Sequence, residues 1–361
     1  MPVATAEFKG TLTLAGSGIA SIRHITLETL SYIERADKIF YVVTDPATEA
    51  FVQDKSKGDC SDLSIYYDKD KIRAIAIARA EGYRAKMLPG VSAEDCLFSD
   101  LDFDPAIPGC MTQEATAIII YNKRLDPSVH NIIWQVGAVG INNMELDNRR
   151  FHFLVDRLEE DFGLDHKVIH YIGAVLPQSP TIKDELTIAD LRKEDVVDRI
   201  TALSTFYLPP RTLSPASKEI LNKLGLSDAP LTIMERLSAK LAGTGTKSAY
   251  GPSERAALEV LEKHVPPSDH KMLEASTAIR QFMTDLALQP DLLDRYMTDP
   301  GAVVDTIPGL SPTEKFALRL NEPGPVQAVM RTTAGRERLT IEEIAAYKEP
   351  AHRAGAILLD T

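Results

Sequence analysis

Short apolar runs rich in β-branched and aromatic residues recur through the first part of the chain, with helical patterns between them. The run over residues 39–44 is continuous rather than alternating, and further strands are expected over 131–137, 168–175 and 204–210. Continuous runs of this length are typical of strands buried on both faces of a parallel sheet. Strands that alternate with helices therefore predict an α/β domain with a largely parallel sheet. Helices are expected over 26–36, 75–86, 151–162 and 184–198, and further strands over 11–15 and 117–121.

The stretch 83–96 carries a signal for a binding site. An apolar segment leads into Pro89-Gly90, and Ser92 with the two acids that follow Ala93 predicts a tight turn and a helix capped by Ser92. Free N–H groups and the positive end of a helix dipole suit a carboxylate or a ribose hydroxyl. The stretch thus fits a small-molecule pocket at the carboxyl end of a strand. More commonly, such a pattern is an ordinary strand-to-helix connection.

Composition argues against several classes of function. The 361 residues carry a formal charge of −12 and no cluster of Lys and Arg, so neither nucleic acid nor an anionic membrane is an expected partner. The spacing of Cys60, Cys96 and Cys110 is not that of a metal site and suits reduced thiols in a reducing compartment. Since there is also no apolar run of about 18 residues, the chain is expected to be soluble and cytoplasmic.

After Pro210 the composition shifts toward helices interrupted by Gly and Pro. The segment Ser311-Pro312-Thr313-Glu314 predicts a helix start with a capping box. Two apolar stripes have helical spacing: Leu258, Leu261 and Val265 form the first, and Ile279, Phe282, Met283 and Leu286 the second. Each stripe needs a cover, which is either the chain's own first domain or a second subunit.

Residues 36–51, 83–96 and 204–210 closely resemble the omphalotin-type (borosin) peptide α-N-methyltransferases, which are relatives of the tetrapyrrole methylases. Residues 135–140 share this resemblance. It implies a tetrapyrrole-methylase-like α/β domain with a mainly parallel sheet, followed by an α-helical clasp domain. It also implies S-adenosylmethionine as methyl donor and α-N-methylation of backbone amides in the protein's own C-terminal tail. In such a family the protein is an interlocked homodimer and the precursor of a fungal ribosomal peptide product.

The resemblance implies three regions. The methyltransferase domain is expected over 1–212, the helical clasp or dimerisation domain over 213–322, and a tail that contains the candidate substrate over 323–361. No metal is needed. A narrow tunnel that reads only the backbone can accept small and branched residues, although such a tail more often docks on its own protein. The candidate substrate residues are Ala356, Ile357, Leu358 and Leu359.

The resemblance also assigns residues to the reaction and to the donor. The oxygen of Tyr67 is expected to help move the amide proton, and Arg73 to stabilise charge on the amide oxygen. Gln135, at a strand end, suits a hydrogen bond to the donor, and a buried Gln satisfied by backbone groups fits the pattern as well. Gly173 and Ala174 are small enough for a flat adenine to approach. The full set of expected donor contacts is Ser92, Ala93, Gln135, Gly173, Ala174, Ser204 and Thr205.

The sequence departs from the family after Lys71. There the family has a long helix, a strand and a Gly-His-Pro-Gly loop, whereas here residues 72–78 follow almost at once. The missing part includes a further catalytic Tyr and part of the donor-site wall. Two alternatives to self-methylation therefore stay open. One is a non-catalytic or donor-site-impaired relative that serves as a dimerising or peptide-binding protein, and the other is a methylase that acts in trans on another peptide.

Overall fold

In a computed structural model, the chain divides into two compact units, each with a hydrophobic core of its own. Unit 1 consists of Met1–Ala15, Thr26–Leu88 and Pro252–Thr361, and unit 2 of Gly16–Ile25 and Pro89–Gly251. The structure describes residues 8–43, 45–63, 71–141, 147–175, 179–212, 214, 217–225, 252–261, 265, 271–273, 276–333 and 340–345.

The first part of unit 1 contains two pairs of parallel strands. Its elements are β1 (Thr11–Leu14), α1 (Leu27–Ile33), β2 (Lys38–Tyr41), α2 (Pro46–Lys55), β3 (Asp59–Asp62), α3 (Lys71–Ala80) and β4 (Arg84–Met87). β1 pairs with β4, and β2 pairs with β3. Ile75 and Ala78 of α3 pack against Ala85 of β4 and form a small core beside the first pair.

Two predictions for this part are corrected by the structure. The helix expected over 75–86 ends at Ala80, because Gly82 has φ +90° and turns the chain, after which β4 pairs with β1. A glycine just after the last helical turn is a common helix stop for this reason. The strand expected over 39–44 forms as β2 but is not buried on both faces, since Phe40 is 57% exposed.

Unit 2 is built on a five-stranded sheet. Its elements are α4 (Ala93–Leu101), β5 (Cys110–Glu114), α5 (Ala115–Ile120), β6 (His130–Trp134), α6 (Phe151–Phe162), β7 (Lys167–Ile172), β8 (Ile182–Thr187), α7 (Glu194–Val197), β9 (Thr205–Leu208) and α8 (Lys218–Lys223). The strand order is β5-β6-β9-β7-β8. β5 and β6 are parallel, while β9 is antiparallel to both of its neighbours and β8 is antiparallel to β7.

Two hydrophobic clusters accompany this sheet. In the larger one, the buried side chains of α6, including Leu154 and Leu158, pack with Ile133 and Phe206 of the strands. In the second, Leu97 of α4 packs with Tyr171, Tyr207 and other residues of the strands. The predicted helix over 151–162 and the strands near 131, 168 and 204 are confirmed, because their apolar patterns coincide with these contacts.

The predicted strand over 117–121 is wrong, because these residues lie in or next to helix α5. The Glu114 side chain accepts hydrogen bonds from the N–H groups of Thr116 and Ala117 and thereby caps the helix. The helix expected over 184–198 is also wrong in its first part. Residues up to Thr187 belong to β8 and pair with β7, and a 3₁₀ turn and the short α7 follow.

The second part of unit 1 is mainly helical. Its elements are α9 (Pro252–Leu261), β10 (Lys271–Leu273), α10 (Thr277–Leu288), α11 (Pro290–Thr298), α12 (Pro300–Asp305), α13 (Pro312–Leu320), α14 (Pro323–Met330), β11 (Arg331–Thr333) and α15 (Ile341–Ala345). The capping box at Ser311 and Glu314 is confirmed. In the stripe on α10, Ile279 and Phe282 are buried, whereas Leu261 on α9 is exposed.

The helical part contacts the strands of its own unit. Arg84 of β4 forms an ion pair with Asp294 of α11, with 2.6 Å between Nη2 and Oδ1. The guanidinium of Arg35 donates to the carbonyl of Leu288. The predicted α/β class with a helical region after it is confirmed. Within the described ranges, we find no helix that is both long and apolar enough to cross a membrane.

Candidate functional site

One edge of the unit 2 sheet collects most of the predicted donor contacts. β6 and β7 run in the same direction, because both are antiparallel to β9, with Ile133 opposite Phe206 and Tyr171 opposite Thr205. The carboxyl ends of β6 and β7 therefore meet the amino end of β9. The five predicted residues at this edge are Gln135, Gly173, Ala174, Ser204 and Thr205. We call it the donor edge.

Gln135 is the most unusual residue of the donor edge. It has φ 58° and ψ 37°, which is the left-handed region that L residues other than Asn and Asp rarely adopt. A short 3₁₀ helix over Val136–Ala138 follows it. Its side chain is exposed, so the alternative of a buried Gln satisfied by the backbone is wrong. A strained backbone and an exposed amide at a strand end are typical of ligand sites.

Gly137 permits a very close contact between two segments of the donor edge. A Cβ atom at this position would lie 2.2 Å from the carbonyl oxygen of Thr201. That distance is far inside van der Waals contact, and the neighbour is backbone. Sequence reasoning gave Gly137 no role of its own, although a glycine three residues after a buried strand is a signal for such an approach.

Gly173 lies under the segment that follows β1 in the chain. A Cβ on Gly173 would lie 2.7 Å from Cδ1 of Ile19 and 3.1 Å from the Tyr171 hydroxyl. The small residue thus makes room for protein side chains in this structure. An adenine at this point requires movement of Ile19, whose Cδ1 is the flexible end of its side chain.

Ser92 and Ala93 lie at the start of α4. The Ser92 hydroxyl accepts from the Asp95 N–H and donates to the Asp95 carboxylate at 2.7 Å, and the Ser92 N–H also donates to this carboxylate. The backbone bond, followed by the hydroxyl bond, lowers the pKa of Asp95. The predicted cap is confirmed. None of the hydrogen bonds given by the described residues joins Ser92 to Gln135 or Thr205.

The remaining predicted site residues are only partly described. Arg73 lies in the first turn of α3 in unit 1, and its side chain is outside the described part. Tyr67 and the four candidate substrate residues lie outside the described residues. The three cysteines are free, and burial raises the pKa of Cys110 to about 11, which keeps this thiol protonated at neutral pH.

Two buried histidines of unit 2 predict a loss of stability in mild acid. Burial lowers the pKa values of His166 and His170, despite the opposing effect of the hydrogen bonds to Pro209 and Asp184. The unfolded chain therefore takes up protons first as the pH falls below about 6.5, and the free energy of unfolding decreases. Urea unfolding at pH 7.5 and 5.5 measures this. A variant with both residues changed to Gln should lose much of the difference, and an unchanged difference would contradict the assignment.

Comparison with known proteins identifies the family of this chain. The model of the borosin biosynthesis clasp domain matches residues 249–359. A protein of Cerrena unicolor named methyltransferase/ribosomally synthesized type I borosin cyclic peptide precursor is 54% identical over 382 aligned residues, covering 93% of each chain. The chain belongs to this borosin methyltransferase/precursor family. The predicted resemblance is thereby confirmed.

Other known proteins match this chain with lower identity. The methyltransferase/ribosomally synthesized cyclic peptide omphalotin A precursor of Omphalotus olearius is 38% identical, covering 92% of this chain and 90% of its own. The crystal structure of uroporphyrin-III-C-methyltransferase from Thermus thermophilus is similar with a TM-score of 0.39 and 14% identity, covering 56% of this chain and 92% of that chain. A likeness at that level carries no argument about activity.

The alignment with the Cerrena unicolor relative has more positions than this chain has residues. The 382 positions aligned with the Cerrena unicolor relative exceed the 361 residues of this chain, although only 93% of the chain takes part. The relative therefore carries residues that have no counterpart here. That these residues fall after Lys71 stays a prediction from the sequence.

Proposed function

We propose that this protein uses S-adenosylmethionine to methylate backbone amides at nitrogen, in its own C-terminal tail. The observation that carries the proposal is the 54% identity, over 93% of both chains, to a protein named as methyltransferase and as borosin peptide precursor. A name that combines enzyme and precursor supports a substrate carried on the same chain.

The donor edge has features that fit S-adenosylmethionine. The exposed amide of Gln135 is able to hydrogen-bond its adenine or its amino-acid end, and half-buried Gly173 and Ala174 offer a surface with little side-chain bulk. Thr205 begins β9 at the same edge. The hydroxyl and the N–H group of Ser92 and of Ser204 already have partners within the protein, so donor contact at these two positions has to come from other atoms of the residues. When bound, the donor supplies an electrophilic methyl group on a sulfonium.

The protein's own task in this reaction is to make an amide nitrogen reactive. An amide N–H is a very weak acid, so the nitrogen is a poor nucleophile until the proton leaves and charge moves onto the oxygen. Arg73 is the proposed partner of that oxygen, and Tyr67 the proposed acceptor or relay of the proton. Holding the tail and excluding water supply the remaining rate enhancement.

The proposed organisation follows the family. Residues 1–212 form the methyltransferase domain, 213–322 the clasp that joins two subunits in a homodimer, and 323–361 the tail with Ala356–Leu359 as substrate. The match of the clasp model over 249–359 supports a clasp in this part of the chain, and it also extends over most of the proposed tail. The three free cysteines are compatible with a reducing cytoplasm.

A second candidate function follows from the length difference between this chain and its relatives. If the absent residues belong to the donor-site wall, the protein is a donor-site-impaired relative that binds peptides or a second subunit without methylating. A methylase that acts in trans on another peptide is the third possibility. Donor binding by calorimetry and the mass of the intact protein after co-expression with a donor supply separate all three.

We expect mass increments of one methyl each, confined to a C-terminal fragment. Tyr67→Phe and Arg73→Ala should each reduce these increments about a hundredfold or more, because each removes a group that acts on the amide in the transition state. Tyr66→Phe is the matched control and should methylate normally. Thermal unfolding confirms that each variant folds. An unmodified tail with bound donor supports action in trans, and no donor binding supports the impaired relative.

A further inference from the structure

A chain of hydrogen bonds leads from the surface of unit 2 to the donor edge. The Ser204 Oγ lies 2.7 Å from Nε2 of His170, and Nδ1 of His170 lies 3.3 Å from Oδ2 of Asp184. Nη1 of Arg199 donates to the same Asp184 oxygen at 2.9 Å. Ser204 is 1% exposed and His170 2%, whereas Asp184 and Arg199 reach solvent.

These partners settle the direction of the hydrogen bonds. The Thr201 N–H donates to the Ser204 Oγ at 2.9 Å, so the hydroxyl proton of Ser204 is available for His170. Because burial lowers the pKa of His170, its ring is neutral at neutral pH. The ring accepts at Nε2 from Ser204 and donates from Nδ1 to Asp184.

The arrangement has the residue types of a hydrolytic triad but not its accessibility. A nucleophilic serine must reach a substrate carbonyl, and the Ser204 Oγ is enclosed by His170 and the Thr201 N–H. Its hydrogen bonds serve the fold of the turn over 201–204, which the Ser204 N–H also closes by donating to the Thr201 carbonyl at 3.0 Å.

The turn over 201–204 also holds the segment that contains Gln135 in place. The Thr201 carbonyl lies against Gly137, at a point where no Cβ would fit. Displacement of this turn therefore frees Gly137, and with it the strained bend at Gln135. The ends of β6 and β9 that meet at the donor edge are thus held by the same hydrogen bonds, which join Ser204 to His170 and to Thr201.

We propose that His170 is a positioning residue of the donor edge. Through the Ser204 hydroxyl it fixes the turn over 201–204, and through Thr201 it fixes the bend at Gln135–Gly137. This inference deepens the proposed function and rests on it for the identity of the donor. Ser204 acts in it as an anchor between His170 and Thr201, with no contact of its hydroxyl to the donor.

The test compares two buried histidines at opposite ends of the same strands. His166 is 8% exposed, precedes β7, and its Nε2 lies 2.8 Å from the Pro209 carbonyl, at the edge away from Gln135. We expect His170→Phe and Ser204→Ala to weaken S-adenosylmethionine binding about tenfold in calorimetry, since each leaves a buried polar group without its partner. His170→Gln, which keeps an acceptor for Ser204, should bind within about twofold of wild type, as should His166→Phe.

Amide hydrogen exchange of the donor-free protein gives a readout that needs no donor. His170→Phe should speed exchange in residues 135–140 more than tenfold, whereas His166→Phe should leave exchange in that segment unchanged. Equal effects of the two substitutions, on exchange or on binding, would overturn the inference and leave His170 a core residue. Wild-type protein without donor affinity would overturn the proposed function instead, and exchange would still decide the role of His170.

Discussion

Restoring the residues that this chain lacks should raise its thermal unfolding midpoint by about 5 °C or more. We place the insertion, taken from the residues that the Cerrena unicolor relative carries without counterpart here, after Lys71, where the sequence predicts the departure from the family. The reason for the expected rise in the midpoint is the way the strands pair in unit 1. The strands of its first part form two separate parallel pairs, and in the described ranges β1 has only β4 as neighbour and β2 only β3. Parallel sheets are normally larger and covered on both faces.

Exposed apolar surface lies beside these pairs. Phe40 of β2 is 57% exposed, and an apolar groove of about 460 Å³ runs between β1 and α3, lined by Leu12, Ile77, Tyr83 and their neighbours. Covering one large apolar side chain contributes roughly 1.5–3 kcal/mol. A strand and helix at this place would cover several, which outweighs the modest entropy cost of a longer connection.

The same insertion should increase the yield of methylated tail. Differential scanning calorimetry measures the first effect and intact mass the second. A Gly/Ser insert of equal length is the matched control, and it should lower the unfolding midpoint slightly and leave methylation unchanged. If the restored segment and the Gly/Ser insert change the unfolding midpoint and the methylation equally, the missing residues do not pack beside the two strand pairs.

The apolar pattern of the sequence correctly predicted the helices and strands whose own side chains form the core. Helix α6 and the strands near 168 and 204 were predicted because Leu154, Leu158 and Phe206 are buried by the same periodicity that the sequence displays. The gathering of Gln135 and Gly173 at one edge also follows from the carboxyl ends of strands, once the strands are assigned. Thr205, at the amino end of β9, joins them only because β9 is antiparallel to its neighbours, which the predicted parallel sheet did not include.

Elements decided by distant partners escaped prediction. The β-branched run at 117–121 favours a strand by composition, yet Glu114 caps it as a helix, and that helix packs against α6. The polar residues of β8 are a strand only because β7 pairs with them. The role of His170 depends on Ser204 and Asp184, which lie 34 and 14 residues away along the chain, and no local pattern announces them.

Gly137→Ala should lower the free energy of unfolding by about 2–4 kcal/mol and abolish most donor binding. The added methyl group would lie 2.2 Å from the Thr201 carbonyl oxygen, and because that neighbour is backbone, the turn over 201–204 or the bend at Gln135 has to move. Either movement separates the segments that form the donor edge. Urea unfolding and calorimetry with S-adenosylmethionine measure the two effects.

Gly301→Ala in α12 is the matched control, since its Cβ would meet only the Asp299 carboxylate oxygen at 3.4 Å, an ordinary contact. Alanine favours a helix over glycine by about 1 kcal/mol, so this variant should be slightly more stable than wild type and bind donor equally well. Stability of Gly137→Ala equal to that of Gly301→Ala would mean that the contact between Gly137 and Thr201 is looser than the structure has it. The donor edge would then not depend on that contact, and the positioning role of His170 would lose its path to Gln135.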